Sequence, residues 1–286
     1  MPEHRMRIGV VGHVEHVTIA RVPALPVPGD IVHLDQPEWL PGGGGGITFA
    51  QLVKSPADVH LFTALGNDEA AEQVRAALDA TTATIHVGQR DEPQTRDLVL
   101  LTPGGERTIF VVGRPLQATI EDGLDWDVLE TCRAVFFTGQ DPRVLERARA
   151  ADIVVVTARR KAVLDESGIV ADVVVGSTFD PREASTLADY RVPPRALVMT
   201  EGPQGGRIET ADGVVRFPAP PRPAVPLVST YGAGDSFAGA LTWYLACGLA
   251  VPEACKRAGP HGAAVLRGDD PLTAQMPLEA VTGRRS

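Results

Sequence analysis

The chain has 286 residues, 44% of them hydrophobic, which is ample for a sizeable buried core and speaks against disorder. A formal net charge of −9 with a pI near 5.3 offers no basic footprint for nucleic-acid phosphates, so nucleic acid is not an expected partner. Three cysteines, Cys132, Cys247 and Cys255, form no CxxC pair, which excludes a zinc or disulfide scaffold and suits a reducing cytoplasm.

The N-terminal apolar run is too short for a signal peptide, and no stretch approaches the roughly 20 apolar residues of a membrane span, so no membrane partner is expected. Residues 7–12 (RIGVVG) read as a short, buried, β-branched strand. Residues 13–41 carry prolines at 23, 26, 28 and 37, with strand-like pieces such as 30–34 between them; no long helix fits there. After a glycine run, 48–53 resembles a helix, 59–65 (VHLFTAL) a strand, and 68–78 a helix with acidic residues in its first turn.

Residues 96–101 and 107–112 flank Pro103-Gly104-Gly105 and predict an antiparallel hairpin, expected to pair with the strands of 13–41 as a side sheet. Strands at 134–138, 153–157, 172–175 and 197–200 then alternate with helical segments around 143–150, 161–166 and 182–187. Such alternation predicts a mostly parallel sheet with helices on both faces. Residues 207–217 read as a hairpin turning at Asp212-Gly213, and two alanine-rich helices follow near 235–247 and 252–266.

The strongest local signal is STYGAGDSF, residues 229–237, leading into an apolar helix. Gly232, Ala233 and Gly234 let backbone amides approach a phosphate at a helix N-terminus, an anion hole. Asp235 in that first turn is placed to take a proton from a substrate hydroxyl, although an Asp there can equally serve only as a helix cap. The second signal is PGGGGG, residues 41–46, where Gly42, Gly43 and Gly44 could approach a hydroxylated ligand, act as a hinge, or form a flexible linker. It is not a nucleotide P-loop, because Ile47-Thr48 stands where Lys-Ser/Thr would be needed.

This pair of motifs, one early and one late, resembles the two signatures of the ribokinase-like (PfkB-type) carbohydrate kinases, and the resemblance spans nearly the whole chain. Gly66-Asn67-Asp68-Glu69 resembles the family's Gly-x-Asp turn, and Asp180-Pro181-Arg182-Glu183 its Asn-x-x-Glu element with Asp180 in place of Asn. The resemblance implies one domain over 1–286, a three-layer α/β/α sandwich with a mostly parallel central sheet and a small β-sheet lid from about 13–41 and 94–113. It implies ATP and Mg²⁺ as cofactors and phosphoryl transfer to an alcohol group of a small hydroxylated molecule. Asp235 would be the base, Gly232 to Gly234 the anion hole, and Thr200, Glu201, Gly202, Gly205, Gly206 and His261 the nucleotide side. Glu183 would organise Mg²⁺ through water, and Glu15 with Gly42, Gly43, Gly44 and Asp235 would meet the substrate. A homodimer through the lid fits its exposed strand edges.

Three departures from the family pattern stand out. Ser229-Thr230 replaces the usual Asp-Thr, which puts a monovalent-cation site in doubt; Ile47 stands where Asn is common; and His13-Val14-Glu15-His16 occupies the first lid segment. That His-Glu-His cluster could bind a metal, but on a strand His13 and Glu15 share one face and His16 takes the other, favouring substrate contact or surface. The rival reading is a kinase-like sugar or nucleoside sensor with impaired chemistry; retention of Gly232, Gly234 and Asp235 favours the enzyme.

Overall fold

The computed structural model describes residues 5–34, 36–221 and 227–280. In chain order its elements are β1 (Arg7–Val11), β2 (Glu15–Arg21), β3 (Glu38–Gly42), α1 (Gly43–Val53), β4 (Asp58–Leu65), α2 (Glu69–Asp79) and β5 (Thr84–Gln89). The lid hairpin β6 (Arg96–Leu101) and β7 (Arg107–Val112) follows, then β8 (Ala134–Phe137), α3 (Pro142–Ala148), β9 (Ile153–Thr157), α4 (Lys161–Ser167), β10 (Val173–Ser177) and β11 (Ala196–Thr200). The hairpin β12 (Gly206–Thr210) and β13 (Gly213–Phe217) precedes α5 (Ala233–Ala246), α6 (Val251–Val265) and α7 (Pro271–Ala274).

Nine strands form one sheet in the order β13-β12-β11-β10-β9-β8-β1-β4-β5, parallel from β11 through β5, with the β12–β13 hairpin added antiparallel at one edge. The strand side chains alternate between two cores, as the two-residue period of a strand requires. Val10, Phe136, Val155, Val175 and Val198 pack with Phe49, Val74 and Phe237 of α1, α2 and α5. Their neighbours Val11, Phe137, Val156, Val174 and Leu197 face the other way, against Val144, Leu145 and Leu164 of α3 and α4. The three-layer α/β/α arrangement follows from runs apolar at every position, since such strands are stable only when covered on both sides.

The smaller sheet has the order β3-β2-β6-β7, antiparallel in its outer pairs and parallel between β2 and β6. The hairpin of β6 and β7 keeps its expected bounds and joins the early strands as the side sheet. One face of this sheet contributes Val17, Ile19, Val99 and Leu101 to a core shared with Ile47, Leu40 and Tyr231, and so rests on the starts of α1 and α5.

Two expectations fail, and one of the three readings of the glycine run falls away. Residues 30–34 form no strand; a turn closes just before them, where Asp30 accepts a hydrogen bond from the Val27 amide, and Ile31 to His33 are exposed. Residues 182–187 form no helix, because the side chains of Asp180 and Glu183 bond the backbone amides of Arg182 and Ser177 instead of leaving the segment to a helical ladder. The glycine run is no flexible linker, since residues 43–46 are the first turn of α1. Strand β5 carries no clear signal in the sequence: its half-exposed TIHVGQ mixes polar and apolar residues at the sheet edge, and pairing with β4 orders it.

Candidate active site

The parallel strands deliver their C-terminal ends to one edge, and the chain runs outward from β1 in both directions, with β4 on one side and β8 on the other. A crevice opens at such a switch point. His13 follows β1, Thr138 follows β8, and Arg159 and Arg160 follow β9, so one edge gathers these polar side chains.

Both glycine-rich motifs enter this crevice. The amide of Gly46 donates to the His13 carbonyl at 3.2 Å, and a methyl group on Gly45 would lie 2.5 Å from that carbonyl, so α1 can begin this close to the end of β1 only without a side chain. A methyl group on Gly44 would stand 3.4 Å from Asp235 Oδ1 and 3.7 Å from Thr138 Oγ1, which brings the early motif face to face with the late one. Gly232 caps α5 at φ 79° and offers no side chain to its amides. The first amides of α5 therefore lack a side-chain partner, and nothing would crowd a methyl group on Gly234. Unpaired amides at the positive end of a helix dipole, on an open turn, form an anion site.

Asp235 is half-buried at this turn. Burial pushes its carboxyl up to about 7, with the Glu183 charge adding to the rise, while Arg107 and Arg159 pull the other way. A carboxyl poised near neutrality beside orphan amides suits proton acceptance from an alcohol. Gly232, not Asp235, holds the cap position of α5.

His13 is held neutral: burial, then the charges of Arg160 and Arg159, lower its pKa to about 3. Its Nε2 accepts from the Gly44 amide at 3.3 Å, which leaves the ring proton on Nδ1, a buried atom without a hydrogen-bond partner. Glu15 is buried and lies against Gly43, where a methyl group would meet its Oε2 at 2.9 Å. Burial, then Asp97 across the lid sheet, raises the Glu15 carboxyl to about 9. His16 takes the opposite face, stacked on Trp39 at 5.0 Å and bonded to Gln73 at 2.9 Å, as strand alternation requires.

The lid is pinned over the late motif. The amide and hydroxyl of Thr230 both donate to the Gly105 carbonyl at 3.0 Å, and Arg107 of β7 donates to the Thr230 hydroxyl at 3.0 Å. Ser229 is buried and uses its hydroxyl to accept from the Tyr231 amide at 3.1 Å, a turn-stabilising task. Ile47 is core, packed beneath the lid and against Gly232, so this position contributes shape rather than hydrogen bonds to the crevice.

Among the residues that the resemblance assigns to the nucleotide, Thr200 ends β11 with its hydroxyl on the Gly176 carbonyl at 3.2 Å, and the turn from Glu201 to Gly205 closes through the Glu201 amide on the Gly205 carbonyl at 2.7 Å. The Glu201 carboxylate is taken by Arg207 and Arg216, and Gly206 begins β12. His261 is buried between α5 and α6 with its Nε2 3.1 Å from the Tyr244 hydroxyl, so its ring faces a packed interface. Glu183 is engaged at both oxygens, by Arg159 at 3.0 Å and the Ser177 amide at 3.0 Å, and Arg159 also binds Asp180. The crevice fits a polyphosphate at its orphan amides. It fits Mg²⁺ only as an ion carried by phosphate and water, because among the described residues no group of three potential ligands is gathered. Sequence reasoning passed over Asp97, Arg160 and Tyr231; Asp97 was detectable as a carboxylate at the inward parity of an otherwise apolar strand.

A nine-stranded sheet under a four-stranded lid, with two glycine-started helices meeting at its switch point, defines a ribokinase-like fold. Residues 171–271, which hold the late motif, match the family model described as pfkB family carbohydrate kinase, in line with the resemblance. An adenosine kinase from Sinorhizobium meliloti superposes with a TM-score of 0.76 at 16% identity, covering 94% of this chain and 96% of its own. A ribokinase from Giardia lamblia gives 0.76 at 14%, covering 95% and 96%. The Arabidopsis thaliana ribokinase complexed with ribose and ATP gives 0.72 at 16%, covering 96% of each chain. No curated protein matches the sequence.

Proposed function

We propose that this protein is an ATP-dependent kinase that transfers the γ-phosphoryl group to an alcohol group of a sugar or nucleoside-like molecule, acting as one catalytic domain under a lid of residues about 13–41 and 94–113. The observation that carries the reading is the meeting of α5's unpaired amides and the Asp235 carboxyl with Gly44, where a methyl group on Gly44 would stand 3.4 Å from Asp235 Oδ1.

In this mechanism the alcohol oxygen attacks phosphorus in line as the bond to the β-phosphate oxygen breaks, and Asp235 accepts the alcohol proton. The amides of Ala233 and Gly234 hold the charge on the transferring group. Turn residues Thr200 to Gly206 line the nucleotide side, and Mg²⁺, when bound, neutralises phosphate charge. Glu183 would reach that ion only through water, its oxygens being occupied by Arg159 and Ser177. The lid hydrogen bonds at Thr230 exclude water from the reacting groups.

The lid also suits self-association. Edge strand β7 exposes Phe110 and Val112 at 52% and 62%, an apolar open edge that a second copy could pair with. A cytoplasmic setting agrees with Cys132 and Cys255, both free and buried, and no described helix is long and apolar enough to cross a membrane.

The test is ATP consumption across a panel of sugars and nucleosides by wild type and Asp235→Asn. Loss of about 10²–10⁴ in turnover with an unchanged melting curve is expected for removal of a general base. Near-normal turnover in the variant overturns the assignment.

A further inference from the structure

A helix of four residues, α7, leans on the turn that begins α5. Pro271 faces Gly232, where a methyl group would stand 3.0 Å from Pro271 Cβ. Gln275, the C-cap of α7, is 4% exposed and donates from Nε2 to the Ser236 hydroxyl on α5 and to the Ile47 carbonyl on α1, both at 2.9 Å. The segment from Pro271 to Gln275 therefore meets α5 on either side of Ala233 and Gly234, whose amides form the anion site. Whatever fixes this segment also fixes where those amides point.

So short a helix does not hold itself. Asp270 caps its start by accepting from the Leu272 amide at 2.7 Å. At its end the carbonyls of Leu272 and Gln275 find no amide of α7 to accept from, because the helix stops at Ala274. One ammonium takes both: Lys54 Nζ donates to the Leu272 carbonyl at 2.6 Å and to the Gln275 carbonyl at 2.9 Å. Lys54 is the C-cap of α1, and its own carbonyl accepts from the Leu278 amide at 3.0 Å, so main chain and side chain both tie the end of α1 to this strap. Burial lowers the Lys54 pKa, and the Asp270 charge opposes that shift. Charge-assisted bonds of this kind are stronger than neutral ones, and an apolar side chain in place of Lys54 would strand both carbonyls. Capping alone would lend stability and nothing more. The contact of α7 with Gly232 carries the effect onward to the phosphate turn.

We propose that Lys54 is a positioning residue for phosphoryl transfer: its ammonium holds α7 against Gly232 and so sets the amides of Ala233 and Gly234 for a polyphosphate. The proposal rests on the kinase reading for what the turn binds. Lys54 acts through α7, not on the reacting atoms.

The experiment is calorimetric binding of ATP and of inorganic tripolyphosphate to wild type, Lys54→Met and Lys54→Arg, with ATP consumption recorded in parallel and circular dichroism to establish that each protein is folded. Lys54→Met keeps the volume and removes the charge, whereas Lys54→Arg keeps a cation that can donate to both carbonyls. Expected are weakening of tenfold or more for both probes in Lys54→Met and affinities within threefold of wild type in Lys54→Arg. Unchanged affinities in folded Lys54→Met, even with stability lost, overturn the proposal, as does Lys54→Arg binding no better than Lys54→Met. Should Lys54→Met not fold, Gln275→Met cuts the strap's bond to Ser236 instead; tenfold weakening there supports the proposal and unchanged affinity overturns it. Tripolyphosphate binding that depends on Lys54 without ATP consumption upholds the proposal and rejects the kinase reading, while wild type that binds neither probe overturns both.

Discussion

The Thr48 hydroxyl on α1 donates a hydrogen bond of 3.2 Å to the backbone carbonyl of Asp235 on α5. Thr48 is fully buried, and Gly239 one turn further along α5 lets the helices close, since a methyl group there would lie 3.0 Å from the Thr48 carbonyl. The helix that begins with the early motif therefore fixes the height of the helix that carries the proposed base. Thr48→Val keeps the volume, removes the donor and is expected to cost about 1 kcal/mol of stability. Because Asp235 loses its positional restraint, kcat should fall severalfold while KM for ATP changes less. Thermal unfolding and steady-state kinetics on the same sample check both halves.

The Asp235 carboxyl sits near pH 7 through burial and the Glu183 charge, with Arg107 and Arg159 opposing. As a base it works only when ionised, so kcat/KM should rise with pH, fall about tenfold per unit below pH 6, and flatten above pH 8. Arg107→Gln removes a cation that holds the carboxyl down, so the acidic limb should move to higher pH. Arg107→Lys keeps the charge and should leave the limb near its wild-type position. A limb that does not move in Arg107→Gln separates the lid arginine from the base. Profiles of kcat/KM against pH for the three proteins decide it.

Much of this was legible in the sequence because it was local. Gly232 to Asp235 and Gly42 to Gly44 announced two helix starts built for close approach, and the lid hairpin was marked by Pro103-Gly104-Gly105. Partnerships between distant residues were not. Nothing near Asp97 says that β6 pairs in parallel with β2, a register that takes its carboxyl to Glu15. The engagement of Glu183 depends on Arg159, 24 residues away on another loop. Residues 182–187 misled for the opposite reason: their helix-like pattern lost to side-chain bonds that only the folded turn supplies.

Gly232 holds φ 79°, and a methyl group there would stand 3.0 Å from Pro271 Cβ and 3.1 Å from Ile47 Cδ1. Gly232→Ala thus meets both a left-handed backbone and a tight contact with core side chains. A cost of about 1–3 kcal/mol is expected. Relief of that strain would rotate the first turn of α5, so KM for ATP should rise at least as steeply as kcat falls. Gly234→Ala, at an open position of the same turn, should leave stability within about 1 kcal/mol of wild type. Chemical denaturation of the two variants, read beside their KM for ATP, separates strain from amide placement.

Glu15 gives the fold a pH dependence of its own. Its carboxyl titrates at about 9 in the folded chain, against 4.5 as the ordinary value, because burial and Asp97 favour the protonated form. Between those values the folded state holds a proton that the unfolded chain has released, so this pair's contribution to stability is intact below about pH 4.5 and declines as pH rises toward 9. Glu15→Gln carries no such proton and leaves Asp97 to ionise without an acidic neighbour, so the decline should be smaller in the variant. The melting temperatures of wild type and variant should diverge steadily from pH 5.5 to pH 8.5, with the variant the more stable at the alkaline end. For a chain of this length each kcal/mol corresponds to about 2–4 °C, so a divergence of several degrees is readily resolved. Parallel curves would mean that Glu15 ionises in the folded lid as it does in water.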